Sequence, residues 1–228
     1  MIEFLLLDLD DTILDFHKQE KVAIEKTLSG VGIAPTEENC QLYSRINKEY
    51  WKRLEKGEVT REELIWGRFD TLFATLGVTG DAVQTSKDYI ENLSQGHYFL
   101  PGAEEALQEL CRKYRLFMVS NGNATVQERR LKSADLEKYF EGIFVSQNVG
   151  ADKPAKAFFD YCFARMPGFD PAKAMIVGDS LSSDIQGGKN AGIATCWVNP
   201  EHKACSPERQ PDYEIESIAQ LEALLETL

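Results

Sequence analysis

The chain has 228 residues, 43% of them hydrophobic and 27% charged, with a formal net charge of −12. That length suits one core domain with a sizeable insertion, and the composition is that of a globular chain, not a disordered or fibrous one. The acidic balance argues against nucleic-acid polymers and anionic membranes as partners, because these need clustered Lys and Arg; an anionic substrate would need a metal ion or a few placed cations to compensate locally.

In chain order the first element is a strand over Ile2 to Leu7, a continuous apolar run of the kind buried on both faces of a parallel sheet. Residues 16–96 carry helix signals and no convincing strand. Within them Thr60-Arg61-Glu62-Glu63 fits a capping box and Gly77 a helix stop. Leu54, Leu64, Trp66, Phe69, Leu72, Phe73 and Leu76 fall near helical spacing, which assigns them to packing. This stretch is expected to be a helical cap inserted after the first strand, with residues 1–15 and 97–228 forming an α/β core. Beyond it, helical patterns over Ala103 to Tyr114, Thr125 to Ser133, Ala155 to Arg165 and Ser183 to Ala191 alternate with apolar runs. Those runs are Leu116 to Val119, Ile143 to Val145, Ala174 to Val177 and Ala194 to Val198, and the alternation predicts a Rossmann-like parallel sheet. Pro200 to Pro211 reads as a polar surface loop, Tyr213-Glu214-Ile215 as an edge strand and Ser217 to Leu225 as a last amphipathic helix.

Cys40, Cys111, Cys162, Cys196 and Cys205 are scattered with no C-x-x-C pair, as expected of reduced thiols in the cytoplasm and not of disulfides or a zinc site. The N-terminal run Phe4 to Leu7 is too short for a membrane span or a signal peptide and is cut off by Asp8.

Four polar groups follow the predicted strands, where an open parallel sheet collects its functional groups. Asp8 and Asp10 leave the first strand two residues apart, so both carboxylates can face one site while Leu9 faces away. Ser120-Asn121-Gly122 offers a hydroxyl, an amide and an unhindered N–H to phosphoryl oxygens. Lys153 precedes Pro154, which suits a first helical turn. Gly178-Asp179-Ser180-Leu181-Ser182-Ser183-Asp184 carries two acids five apart where a loop enters a helix. Taken singly these are a turn, a loop with a cap, a solvated lysine and helix-capping acids.

In this order and context the four groups strongly resemble the motifs of the haloacid dehalogenase-like hydrolase superfamily. The resemblance implies a Mg²⁺-dependent phosphatase with Asp8 as nucleophile and Asp10 as general acid and base. Ser120, Asn121 and Lys153 would bind the phosphoryl group. Asp8, the Asp10 backbone carbonyl and Asp179 would ligate Mg²⁺, with Asp184 acting through water. Asp11 reads as a surface or capping residue. The insertion matches the family's first cap type, a helical lid that excludes water and contacts the leaving group.

More narrowly, Asn47-Lys48 with Trp51, Gly67-Arg68-Phe69, the Gln127 to Leu131 segment and the run from Asn190 to Trp197 resemble pyrimidine nucleoside 5′-monophosphatases. Asn47, Trp51 and Arg68 become candidate specificity residues, although aromatic residues in a helical bundle ordinarily fill its core. The expected partner is a small phosphorylated metabolite, a nucleoside 5′-monophosphate first. A sugar-phosphate phosphatase or phosphomutase of the same superfamily is the main alternative. A dehalogenase is disfavoured by Asp10, and a phosphorylatable signalling receiver by the early nucleophile and the insertion. Monomer and homodimer both remain open.

Overall fold

Phe4, Leu5, Leu6 and Leu7 form strand β1 (Phe4–Leu7), and all four are fully shielded from solvent. A strand apolar on both faces needs cover on both, which places β1 at the centre of a sheet. The computed structural model describes residues 1–228. They divide into two units, Met1–Phe16 with His97–Leu228, and His17–Gly96.

Four helices make up most of the second unit: α1 (Phe16–Gly30), α2 (Glu37–Glu55), α3 (Arg61–Leu76) and α4 (Ala82–Ser94). Thr60 Oγ1 accepts from the Glu63 N–H while Glu63 reaches back to the Thr60 N–H, and Gly77 ends α3 in the left-handed conformation. Both signals were readable in the residues. Tyr43, Phe69 and Tyr89 stack and tilt against one another with centroids 5.0–5.6 Å apart. Leu64, Phe69, Leu72 and Phe73 are buried as expected of packing residues. Leu54 and Leu76 are half-buried, and Trp66 is 38% exposed.

The first unit continues with α5 (Ala103–Lys113), β2 (Arg115–Ser120), α6 (Ala124–Ser133), β3 (Gly142–Val145), α7 (Ser146–Val149), α8 (Lys156–Phe163), β4 (Ala174–Gly178), α9 (Gln186–Ala191), β5 (Ala194–Val198), β6 (Tyr213–Ile215) and α10 (Leu221–Leu225). The six strands pair in parallel in the order β3-β2-β1-β4-β5-β6. This is an α/β fold with a Rossmann-like parallel sheet. Alternation along β1 sends Leu5 and Leu7 to one core with Leu107 and Leu110 of α5, and Phe4 and Leu6 to the other with Phe158 and Phe159 of α8. The strand order reverses at β1, so the carboxyl ends of β1, β2 and β4 open onto one crevice.

Departures from expectation are local. Pro154 is not in a first helical turn, since Ala155 caps α8 and the helix begins at Lys156. The one-turn helix α7 was not foreseen, and four residues carry too little periodicity to show it. The expected helix from Ser183 opens instead as a π turn, Leu181–Ile185, capped by Ser180. A 3₁₀ turn, Pro207–Arg209, interrupts the predicted loop. All five cysteines are free thiols, and no helix is long and apolar enough to cross a membrane.

One half-buried knot ties β5 to the segment that leads into β6. The Thr195 N–H and hydroxyl both donate to Asp212 Oδ2 at 2.8 and 2.7 Å, and the Asp212 N–H returns to Thr195 Oγ1 at 3.0 Å. Thr195→Val keeps the shape of this buried side chain and removes two of these bonds, whose partner Asp212 is open to water, so it should lower unfolding free energy by about 1 kcal/mol in a denaturant titration.

Candidate active site

Lys153 is the hub of the crevice. Its ammonium has three protons, and all three are used: it donates to Asp8 Oδ1 at 2.6 Å, Asp184 Oδ1 at 2.7 Å and the Val119 carbonyl at 2.8 Å. The side chain is only 1% exposed. Its main chain is clamped as well, since Asn121 Oδ1 accepts from the Lys153 N–H and Asn121 Nδ2 donates to the Lys153 carbonyl, both at 2.8 Å. The Asn121 carboxamide, expected on phosphate, is therefore engaged in placing Lys153.

Asp8 follows β1, and its N–H continues the ladder to the Val177 carbonyl at 2.9 Å. Asp184 is fully buried; Oδ2 accepts from the Ser180 N–H at 3.1 Å while Oδ1 faces Lys153. The carboxylate fits because residue 178 is glycine: a Cβ there would stand 2.2 Å from Asp184 Oδ2. Asp179 is placed through its carbonyl, which accepts the indole N–H of buried Trp197 in β5 at 2.8 Å. Asp8, Asp179 and Asp184 bring one carboxylate oxygen each to within 4.8 Å of one another.

Three crowded acids sharing one ammonium have a predictable electrostatic result. Burial pushes the Asp8 carboxyl up to about 8; Lys153 opposes this, and Asp184 and Asp10 add to it. Asp179 is raised by burial and then by Asp8 and Asp184. Burial alone would lower Lys153, but Asp184 and Asp8 outweigh it and hold the ammonium above the ordinary lysine range. The partners of the Asp8–Lys153 pair thus shift unevenly, because one cation cannot neutralise three acids. Such a set of hard oxygen donors with excess negative charge fits a divalent hard cation.

Asp10 faces a different neighbourhood. Its Oδ2 accepts from Gln127 Nε2 at 2.6 Å and its Oδ1 from Arg130 Nη1 at 2.5 Å, and Gln127 Nε2 also donates to Ser120 Oγ at 2.9 Å. Asp11, in the left-handed conformation, accepts the Phe16 N–H at the start of α1 at 3.0 Å, a capping role. Gln127 and Arg130 were not assigned a place beside Asp10 from the residues alone. A signal existed, because α6 buries Val126, Gln127, Arg130 and Leu131 as one helical face, and two polar members of such a face need a buried partner.

The helical unit holds its own buried polar set. Arg68 Nη1 donates to Asn47 Oδ1 at 2.8 Å, and Asn47 Nδ2 donates to Glu20 Oε1 at 2.6 Å. Asn47 and Arg68 are thus brought together directly, and Asn47 is held in turn by Glu20, which the residues alone did not single out. Trp51 is outside that hydrogen-bonded set, half-buried beneath the Arg61 guanidinium at 5.6 Å.

Residues 2–192 match the family model described as haloacid dehalogenase-like hydrolase. The chain is 38% identical to the HAD-hydrolase YfnB of Bacillus subtilis over 97% of its own length and 94% of that protein's. A magnesium-bound crystal structure of YfnB superimposes with a TM-score of 0.94 over 98% of each chain, at 37% identity. Pyrimidine 5′-nucleotidase PynA of Streptococcus pneumoniae is 37% identical over 96% of this chain and 93% of its own. Pyrimidine 5′-nucleotidase YjjG of Escherichia coli is 30% identical over 98% and 97%. With a family match over residues 2–192 and relatives that cover almost all of the chain, the chain belongs to the haloacid dehalogenase-like hydrolases.

Proposed function

We propose that this hydrolase is a Mg²⁺-dependent phosphatase acting on a nucleoside 5′-monophosphate through an aspartyl phosphate on Asp8. The observation that carries the reading is the pair of acids leaving β1 into unlike surroundings, Asp8 against the Lys153 ammonium and Asp10 against donors from α6 beside Ser120. Two carboxyls with separate partners can hold separate duties.

The Asp8 carboxylate attacks phosphorus, and the P–O bond to the leaving group breaks with its electron pair passing to that oxygen, which takes a proton from Asp10. Water then attacks the phosphoryl group and gives its proton to Asp10. The P–O bond to Asp8 breaks, releasing inorganic phosphate and restoring both side chains. Lys153 orients Asp8 and, with Ser120 and the Asn121 N–H, balances phosphoryl charge. Asp8, the Asp10 carbonyl, Asp179 and Asp184 are the proposed holders of Mg²⁺, which when bound neutralises charge on the transferring group. A carbon–halogen substrate would have no use for a proton donor at position 10.

For the substrate, support comes from the two relatives named pyrimidine 5′-nucleotidases, which run the full length of the chain. Trp51 stays the candidate for base recognition in the helical unit, whereas Asn47 and Arg68 already satisfy each other. Sugar phosphates are the competing class. A phosphate-release panel should give the highest kcat/KM with a pyrimidine nucleoside 5′-monophosphate; efficient turnover of sugar phosphates with none of nucleotides would reject this substrate.

Asp8→Asn should lower kcat by on the order of 10³-fold or more with little change in thermal midpoint, since it removes the attacking group and an acid that is costly to bury. Chelation should abolish turnover, Mg²⁺ should restore it, and Mg²⁺ should raise the melting temperature of the wild type but not of Asp179→Asn. The sign of the pH effect follows from the raised acids. Asp8, at about 8, and Asp179 must lose protons to ligate a cation, so Mg²⁺ affinity from calorimetry should tighten as pH rises towards 8.

A further inference from the structure

We infer that Gln127 and Arg130 are positioning residues that aim Asp10 and Ser120 at the substrate, and that Gly122 is glycine to make room for Gln127. The inference rests on the reading of Asp10 as general acid and base. Arg130 is completely buried, and its Nε and Nη2 have no hydrogen-bond partner. A fold that only needed to fill this space would be served by an apolar side chain of similar volume, without the cost of burying a guanidinium. What the arginine makes instead is a bond to Asp10 Oδ1 and another, at 3.0 Å, to Gln127 Oε1.

Gln127 is used at both ends. Its Oε1 accepts from Arg130, and its Nε2 donates to Asp10 Oδ2 and to Ser120 Oγ. The Asp10 side chain is 26% exposed and sits where the chain turns sharply, with Asp11 at a φ of 56°. On its own such a carboxylate would sample several rotamers; a separate donor on each oxygen leaves it one. Ser120 is constrained by the same amide. Its oxygen accepts from Gln127 Nε2 and from the Gly122 N–H at 3.1 Å, which fills both lone pairs. The hydroxyl hydrogen therefore has to point elsewhere, as a donor, which is what a phosphoryl oxygen requires.

Gly122 closes the arrangement. A Cβ there would stand 2.3 Å from Gln127 Nε2 and 2.8 Å from its Cδ, and the backbone at this position is not left-handed. An alanine would be tolerated by the main chain and would push aside the flexible end of Gln127. It should displace the amide without unfolding the protein.

The test compares kcat/KM, which reports the steps through departure of the leaving group, for an alkyl phosphate and for p-nitrophenyl phosphate, whose leaving group departs as an anion without help. Arg130→Met should lower kcat/KM about 10²-fold for the alkyl ester and no more than about 3-fold for the aryl ester. Gln127→Leu should show the same split and, because Ser120 loses its orientation, a raised KM for both esters. Gly122→Ala should reproduce Gln127→Leu, and adding it to Gln127→Leu should cost nothing further. Equal losses on both esters in Arg130→Met, while Asp10→Asn shows the split, would overturn the inference and leave the phosphatase reading standing. The absence of a split in Asp10→Asn would overturn both. If Arg130→Met fails to fold, Gly122→Ala decides by the same comparison.

Discussion

The buried ammonium of Lys153 is the constraint on which the rest of the crevice depends. It ties together groups from three parts of the sheet: Asp8 beyond β1, the Val119 carbonyl of β2 and Asp184 beyond β4. A lysine with all three protons engaged cannot shift toward one partner without releasing another. Its backbone is held by Asn121 for the same end. Removing any one acid would leave the cation less compensated, and removing the lysine would leave several acids crowded in low dielectric. The site is thus built around charges that stabilise one another only as a set, and the set still carries more acid than base. That surplus is why a divalent cation suits it, and why a chain with strong net negative charge can manage a phosphate ester locally.

The supports of that set are small residues and backbone groups. Gly178 leaves room for the Asp184 carboxylate. The indole of Trp197, one strand further along, holds the Asp179 main chain. The π turn Leu181–Ile185 brings Asp184 back beneath the end of β4 instead of letting it point along a regular helix. π turns of this kind commonly occur at functional positions because they re-aim one side chain at the expense of helix regularity.

What the sequence made legible follows from how each feature is encoded. Fully apolar runs such as Phe4–Leu7 and Ala174–Val177 have few alternatives to a central parallel strand, so the α/β class, the six strands and the helical nature of residues 16–96 were readable from pattern. Asp8, Lys153, Asp179 and Asp184, which the structure brings together, were singled out by the order of the four motifs and their resemblance to the family's, since each taken alone reads as a turn, a surface charge or a cap. Less legible were features in which one side chain answers another distant in sequence. Asn121 was read as a phosphate ligand, and only the structure shows that its carboxamide also holds the main chain of Lys153. Arg130 meets Asp10 across 120 residues of chain. Short elements were hidden for a different reason: α7 and the 3₁₀ turns are shorter than the period that would reveal them.

Two buried polar sets in this protein invite comparison, because only one of them leads to solvent. In the helical unit, Glu20, Asn47 and Arg68 are each buried, and Asn47 links the acid to the base with one hydrogen bond to each. Glu20 also accepts from Ser44 Oγ of α2 and Arg68 Nε donates to the Ile65 carbonyl of α3, which is how a set that fixes the register of packed helices behaves. In the α/β unit, Arg130 is just as buried, yet its acid is not, since Asp10 keeps a quarter of its side chain accessible. A charge buried at one end and open at the other transmits the rigidity of the core to a group that can still meet a substrate. That asymmetry distinguishes a set closed within the helical unit from one whose acid still reaches solvent, and it is the physical ground for reading Arg130 as a support of Asp10.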